Sequence, residues 1–253
     1  VGRGVAKLFA DGASRLNEKM QLVAVSARNA GQDRGVDLGG YRWYDDPVAL
    51  ASDTGVDVFV ELIGGAEGVA KAAVEAALGR GAHVVTANKA LLAVHGTQLA
   101  ALAESTGAKL LFEAAVGGGV PMVKALKESV AGSRASSVAG ILNGTCNYIL
   151  TEMESSGRSF EAVLAEAQSM GYAEADPTTD VGGFDAAHKL TILSAIAFGT
   201  RPDYDHVRIQ GIERVTLTDI RLAAKLGYRI KLIAKGALSD GAVEMHVRPA
   251  CLS

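Results

Sequence analysis

The order of apolar and polar positions divides the chain into short segments of two kinds. Val5, Leu8, Phe9 and Leu16 recur at helical spacing. Gln21 to Ala27 is rich in β-formers and ends at Arg28. Asp57 to Ile63 reads as a buried strand, stopped by Gly64-Gly65. An alanine-rich helix is predicted from Glu67 to Leu78 and a short strand from His83 to Thr86. Asn88-Lys89 then starts a helix, Gly96 to Ser105 is helical, and Lys109 to Glu113 is predicted as strand. Strand and helix thus alternate to about Glu113, the pattern of a parallel sheet with helices on both faces.

After Gly117-Gly118-Gly119 the pattern changes. A helix is predicted from Val120 to Val130, a strand from Ser137 to Leu142, and helices near Cys146, Phe160 and Asp185. Arg229 to Lys235 and Ala242 to Val247 read as an antiparallel pair joined by residues 236–241. The expected boundary therefore falls near Gly117, with one domain over 1–116 and another over 117–253.

Composition narrows the classes. The chain has 253 residues, 49% of them hydrophobic, and 30 glycines, which suits a globular α/β protein with a real core. A net charge of −3 gives no sign of a nucleic-acid or anionic-membrane partner. The two cysteines, Cys146 and Cys251, lie far apart without metal-ligand spacing, which points to a reducing compartment rather than a disulfide framework. The five histidines do not cluster, so a zinc site is not expected. The apolar stretch near Leu190 to Phe198 is too short to span a bilayer, and no signal peptide is expected.

Chemistry concentrates between Gly171 and Lys189, which holds Glu174, Asp176, Asp180, Asp185 and Lys189. Pro177, Gly182 and Gly183 place the first three in a loop, and a helix starts near Gly183. Asp185 and Lys189 are four apart and share one face of that helix. Leu190, Ile192, Leu193, Ile196 and Ala197 make much of it buried. A carboxylate and an ammonium there suit a small zwitterionic substrate and proton transfer to a carbonyl oxygen. The competing reading is an exposed ion pair, worth about 0.3–0.5 kcal/mol.

Other segments point to a nucleotide. Val1-Gly2-Arg3-Gly4 before a helix has the form of the tail of a dinucleotide-binding Gly-rich loop, whose strand and first glycines lie outside this chain. Arg28 stands after the next strand, where an acidic residue would select NAD. Arg28 would favour the 2′-phosphate of NADP, with Arg34 in support, or is a solvated arginine. Gly64-Gly65 lets backbone approach a flat ring, or is a simple turn. Asn88-Lys89 follows a strand on the same sheet edge, so Lys89 points toward the cleft, or is solvated as most lysines are. The run Glu113 to Pro121 could hold a monovalent cation on free carbonyls beside a carboxylate, or act as a hinge.

Five blocks in order, Thr86-Ala-Asn-Lys-Ala-Leu-Leu, Glu113-Ala-Ala-Val-Gly-Gly-Gly-Val-Pro, Asn143-Gly-Thr-Cys-Asn-Tyr-Ile-Leu, Gly171 to Lys189 and Leu226-Gly-Tyr-Arg-Ile-Lys-Leu, resemble those of homoserine dehydrogenase over nearly the whole chain. The resemblance implies a Rossmann-like nucleotide-binding domain followed by an α+β substrate and dimerisation domain. It implies reversible reduction of L-aspartate 4-semialdehyde to L-homoserine with NADP or NAD, in the route to threonine and methionine. It assigns Asp185, Lys189 and Lys89 to the reacting oxygen, with either lysine as proton donor. It assigns Glu174, Asp180, Tyr172 and Gly171 to the substrate, and Gly2, Gly4, Arg28, Gly64, Gly65, Asn88 and Thr145 to the cofactor. A sodium or potassium site would use Glu113, Val116, Gly118 and Val120. Cys146 need not be reactive. A cytoplasmic homodimer or tetramer is expected. Two other readings remain at this stage: another amino-acid dehydrogenase, and a non-catalytic nucleotide-binding module.

Overall fold

The computed structural model describes residues 1–12 and 15–253. The chain divides into two compact units, one of Val1–Leu91 with His95–Ala115, the other of Leu92–Val94 with Val116–Ser253.

The first unit runs α1 (Gly2–Ala10), β1 (Ala24–Ser26), β2 (Arg42–Tyr44), α2 (Pro47–Ser52), β3 (Val58–Glu61), α3 (Val69–Gly79), β4 (His83–Thr86), α4 (Lys89–Thr106) and β5 (Leu110–Leu111), and ends in α5 (Glu113–Val116), which crosses into the second. β1 and β2 pair in parallel, and β3, β4 and β5 form a parallel sheet in that order. The expected α/β alternation with parallel strands is therefore present. Phe59 and Val84 from the sheet pack with Ala73, Val74, Ala77 and Leu78 of α3 and Leu91, Leu99 and Ala103 of α4. Alanines on α3 let it lie close to the strands.

Several boundaries differ from those expected. Leu16 lies outside α1, in a 3₁₀ turn at Arg15–Glu18, because the helix stops at Ala10 before Gly12. Lys109–Glu113 shortens to Leu110–Leu111, and Glu113 already belongs to a helical turn. β2 and α2 are additions. β2 has three residues, too few to show alternation. The N-terminus of α2 is set by Asp46, whose side chain accepts from Val48 N, and by Pro47 at its first turn.

The second unit runs α6 (Met122–Lys124), β6 (Ser137–Gly140), α7 (Gly144–Ser156), α8 (Phe160–Ser169), α9 (Thr178–Val181), α10 (Phe184–Phe198), β7 (Arg208–Ile209), α11 (Leu217–Lys225), β8 (Arg229–Ser239) and β9 (Ala242–Leu252). The sheet order is β6-β8-β9-β7, antiparallel except for the β7–β9 pair. Leu232 and Ala234 of β8 and Met245 and Val247 of β9 alternate inward and pack against Ile149, Leu150 and Met153 of α7 and Leu190 of α10.

The helix expected over Val120–Val130 is instead α6 followed by a π-turn at Ala125–Ser129. The hairpin strands are longer than expected. Ser239 pairs with Ala242, so the turn is only Asp240-Gly241, with φ of 50° and 80°. Two positive φ values are what a two-residue turn needs to match the strand twist. β9 also runs past Pro249, beyond the two residues that β7 covers, where a strand edge tolerates a missing N–H.

Candidate active site

In the first unit the chemistry gathers at the carboxyl end of β3 and β4. Glu61 is fully buried. Its Oε1 accepts the backbone N–H of Ile63 at 2.7 Å and of Gly64 at 3.0 Å, and its Oε2 accepts the Thr86 hydroxyl. Thr86 Oγ1 in turn accepts Asn88 N at 2.9 Å. Asn88 caps α4 through Leu91 N at 3.1 Å and donates Nδ2 to Gly65 O at 2.7 Å. A buried carboxylate is thus fully hydrogen-bonded and fixes the Gly64-Gly65 turn, whose φ values are 90° and 85°. An added Cβ on Gly64 would meet no atom within 4 Å, so the backbone faces open space at a strand end. Lys89, partly buried, opens α4 beside this turn.

Gly2 and Gly4 lie inside α1 rather than in a loop before it, because the Val1 carbonyl accepts Gly4 N at 2.8 Å and starts the helix. The first-turn amides keep the orientation that suits a phosphate. Arg28 is exposed beyond β1. Arg34 does not read as phosphate support. Its guanidinium donates to Asn29 O at 2.6 Å and Gln32 O at 2.8 Å and lies over Trp43, 5.6 Å from the ring centroid, so it clasps its own loop.

In the second unit, Lys189 and Asp185 sit on α10 with 19% and 8% side-chain exposure, and Lys189 Nζ meets Asp185 Oδ2 at 2.9 Å. The exposed-pair reading fails here. Two charges at this depth need partners to offset desolvation, and they have them. Lys189 Nζ also donates to Leu142 O at 2.9 Å. Asn143 Nδ2 donates to Asp185 Oδ2 at 2.9 Å and to Asp180 Oδ1 at 2.7 Å. Two of the three ammonium N–H bonds are therefore aimed at protein oxygens, which fixes the direction of the third.

Asp180 is in α9 rather than in a loop. Pro177 ends the preceding chain and stands as the N-cap of this one-turn helix, and Asp176 accepts Thr178 N at 3.1 Å. Hydrogen bonds from the Thr178 hydroxyl first and its backbone N–H second hold the Asp176 carboxyl below the usual range. Gly183, at φ 85°, turns the chain into α10 and so presents Asp185 in its first turn. Glu174 is exposed, and its carboxylate makes no hydrogen bond or ion pair among the described residues. Gly171 and Tyr172 are exposed, Tyr172 meets Tyr148 edge-on at 5.2 Å, and Thr145 Oγ1 donates to Tyr172 O at 3.0 Å. Thr145 thus ties the start of α7 to the Gly171–Tyr172 turn. Cys146 is buried, and burial with the charges of Asp180 and Asp185 pushes its thiol far above the ordinary range, so it holds no thiolate.

The expected cation set divides between the units, Glu113 in the first and Val116, Gly118 and Val120 in the second. Val120 O already accepts Met122 N at 2.8 Å and keeps one lone pair. Among the described residues no three His, Cys, Asp or Glu side chains group as metal ligands, and no helix is long and apolar enough to cross a membrane. Sequence reading missed two residues. Glu61 passed as the end of a strand, and Asn143 only as part of the Asn143–Asn147 turn that the resemblance puts in the cofactor and substrate wall. The signal for Glu61 was an acid inside an apolar strand. Asn143 gave only that of a helix N-cap, since its carboxylate partners lie 37 and 42 residues away.

Comparisons with known proteins agree across both units. The family described as "Homoserine dehydrogenase, NAD binding domain" matches residues 1–113, and "Homoserine dehydrogenase" matches residues 121–253. The homoserine dehydrogenase of Neisseria gonorrhoeae is 43% identical over 100% of this chain and 58% of its own length, and that of Pseudomonas aeruginosa 45% over 95% and 55%. The chain thus spans less than two thirds of the curated relatives it matches. The crystal structure of a homoserine dehydrogenase from Thiobacillus denitrificans superposes with a TM-score of 0.94 at 42% identity, covering 99% of this chain and 59% of that one. A hyperthermophilic archaeal homoserine dehydrogenase in complex with NADPH gives 0.82 at 27% identity, covering 100% and 79%.

Proposed function

The chain belongs to the homoserine dehydrogenase family. On that premise we propose that the protein interconverts L-homoserine and L-aspartate 4-semialdehyde with a nicotinamide cofactor, as a step toward threonine and methionine in the cytoplasm. The observation that carries this reading is the buried Asp185–Lys189 pair, with one ammonium N–H left for a substrate oxygen.

The first unit serves as the nucleotide half. The α1 amides with Gly2 and Gly4 take the pyrophosphate, Gly64, Gly65 and Asn88 take the nicotinamide, and Arg28 takes the 2′-phosphate, which makes NADP the preferred form. When bound, the cofactor supplies or accepts hydride at the substrate carbon. The second unit serves as the substrate half. Glu174 and Asp180 attract the amino group, and Gly171, Tyr172 and Thr145 shape the wall around it. In reduction, the Lys189 ammonium stabilises the developing alkoxide and gives up a proton; in oxidation it takes the hydroxyl proton back, with Asp185 holding it in place. Lys89 is the alternative proton donor. The carbonyls of Val116, Gly118 and Val120 are hard-oxygen donors suited to sodium or potassium. The second unit also carries the contacts of a homodimer or tetramer.

A substrate panel tests this reading. The full-length parent protein is offered L-homoserine, L-glutamate, L-leucine and an opine, each with NADP. Turnover confined to L-homoserine is expected. Turnover of another amino acid alone would move the protein to a different dehydrogenase, and cofactor binding without any turnover would make it a binding module.

A further inference from the structure

Asn143 is 3% exposed and satisfies four groups at once. Its Oδ1 accepts Cys146 N at 2.7 Å and caps α7. Its Nδ2 gives one proton to Asp180 Oδ1 at 2.7 Å and the other to Asp185 Oδ2 at 2.9 Å. Its backbone carbonyl accepts Asn147 Nδ2 at 3.0 Å. Asp185 Oδ2 is therefore shared between the Asn143 amide and the Lys189 ammonium, each at 2.9 Å. Asn147 extends the arrangement to the sheet, because its Oδ1 accepts Leu232 N at 3.0 Å.

Only a neutral amide meets this demand. The side chain must accept on one side and donate twice on the other. Two carboxylates sharing one site repel, and a donor between them relieves this without adding charge. The groups that face Asn143 are Asp180 from α9, Asp185 and Lys189 from α10, and the Cys146 thiol of α7, with Glu213 also acting on that thiol. We propose that Asn143 is a positioning residue that couples the two halves of the substrate site. Through one NH₂ group it locks the carboxylate that meets the substrate's amino end to the pair that handles the proton. This rests on the functional reading above, and it adds a residue that acts through Asp180 and Asp185 rather than on substrate.

The test compares Asn143→Asp, Asn143→Ser and the unaltered full-length protein for L-homoserine oxidation across pH. Both replacements keep an oxygen that can cap α7, so both should fold. Asn143→Asp puts a third carboxyl beside Asp180 and Asp185, which raises its folded-state pKa. That carboxyl must bind a proton before it can replace the lost N–H donor. At about pH 8 its kcat should fall about 10- to 100-fold, as expected for a lost hydrogen bond to charge. The ratio to the unaltered protein should recover toward about pH 6, as the carboxyl becomes a donor. Asn143→Ser, without a titrating group, should show a loss that does not vary with pH. The thermal midpoint of Asn143→Asp should follow the same course. A raised folded pKa gives stability that is present at low pH and lost as pH rises, so the deficit shrinks on acidification.

Unchanged kcat in Asn143→Asp, or a kcat ratio independent of pH, would overturn the proposal. Failure of the unaltered protein to oxidise L-homoserine would defeat the functional reading instead. The pH course of the Asn143→Asp midpoint would still decide this one.

Discussion

Removing the carboxylate of Glu61 should loosen the first unit while leaving the Asp185–Lys189 pair of the second unit untouched. In Glu61→Ala, the Thr86 hydroxyl and the N–H groups of Ile63 and Gly64 lose their acceptor. Thr86 is buried, whereas the two N–H groups are part-buried and can recruit water. Counting about 1–3 kcal/mol for the buried hydroxyl and about 0.5–1 kcal/mol for each amide gives a loss of about 3 kcal/mol. Glu61→Gln keeps an Oε1 for both amides and should cost only about 1 kcal/mol. Trp43 is the chain's single tryptophan and lies in the first unit, so its fluorescence reports that unit's unfolding. For a unit of this size the Ala variant should melt roughly 15 °C lower and the Gln variant roughly 5 °C lower. NADPH should bind the Ala variant about tenfold more weakly, because the Gly64-Gly65 turn is no longer pre-set. Equal melting of the Ala variant and the unaltered protein, or equal losses in Ala and Gln, would refute the assignment of Glu61 as the fastening of this turn.

Three further outcomes follow from the same geometry. Gly183→Ala should destabilise the second unit by about 1–2 kcal/mol, since its φ is 85° and its Cβ would stand 3.3 Å from Ile209 and Val247; circular dichroism melting would show it, and an unshifted midpoint would remove the strain argument. Iodoacetamide should label Cys146 only after unfolding, because the thiol is buried and pushed up in pKa; mass spectrometry of the folded protein at mildly alkaline pH should find it unmodified, and rapid labelling would contradict this. Arg28→Ala should lower the NADPH-to-NADH ratio of kcat/KM about tenfold, and an unchanged ratio would make Arg28 a solvated surface residue.

Much of this was legible in the sequence where the signal is local. His83–Thr86 reads as a strand and appears as one, because glycine and asparagine mark its ends. Asp185 and Lys189 read as one helix face and lie 2.9 Å apart, because a four-residue spacing is set by helix geometry alone. Strands of two or three residues were missed, as with β2, or read too long, as with β5. Pro177 reads as a helix breaker, yet it starts a single turn that carries Asp180, since at a helix start its missing N–H leaves no intrahelical bond unmade. Glu61 and Asn143 are a different case. The acid inside an apolar strand marks Glu61, but its Thr86 partner, like the Asp180 and Asp185 partners of Asn143, is brought to it only by the tertiary fold.

The central claim is that Lys189 handles the proton of an aldehyde reduction. The direct measurement is NADPH consumption by the full-length parent with L-aspartate 4-semialdehyde, beside Lys189→Ala. Turnover is expected in the parent, with a loss of about 10²–10⁴-fold in kcat in the variant and NADPH affinity kept. Normal turnover in Lys189→Ala would contradict it.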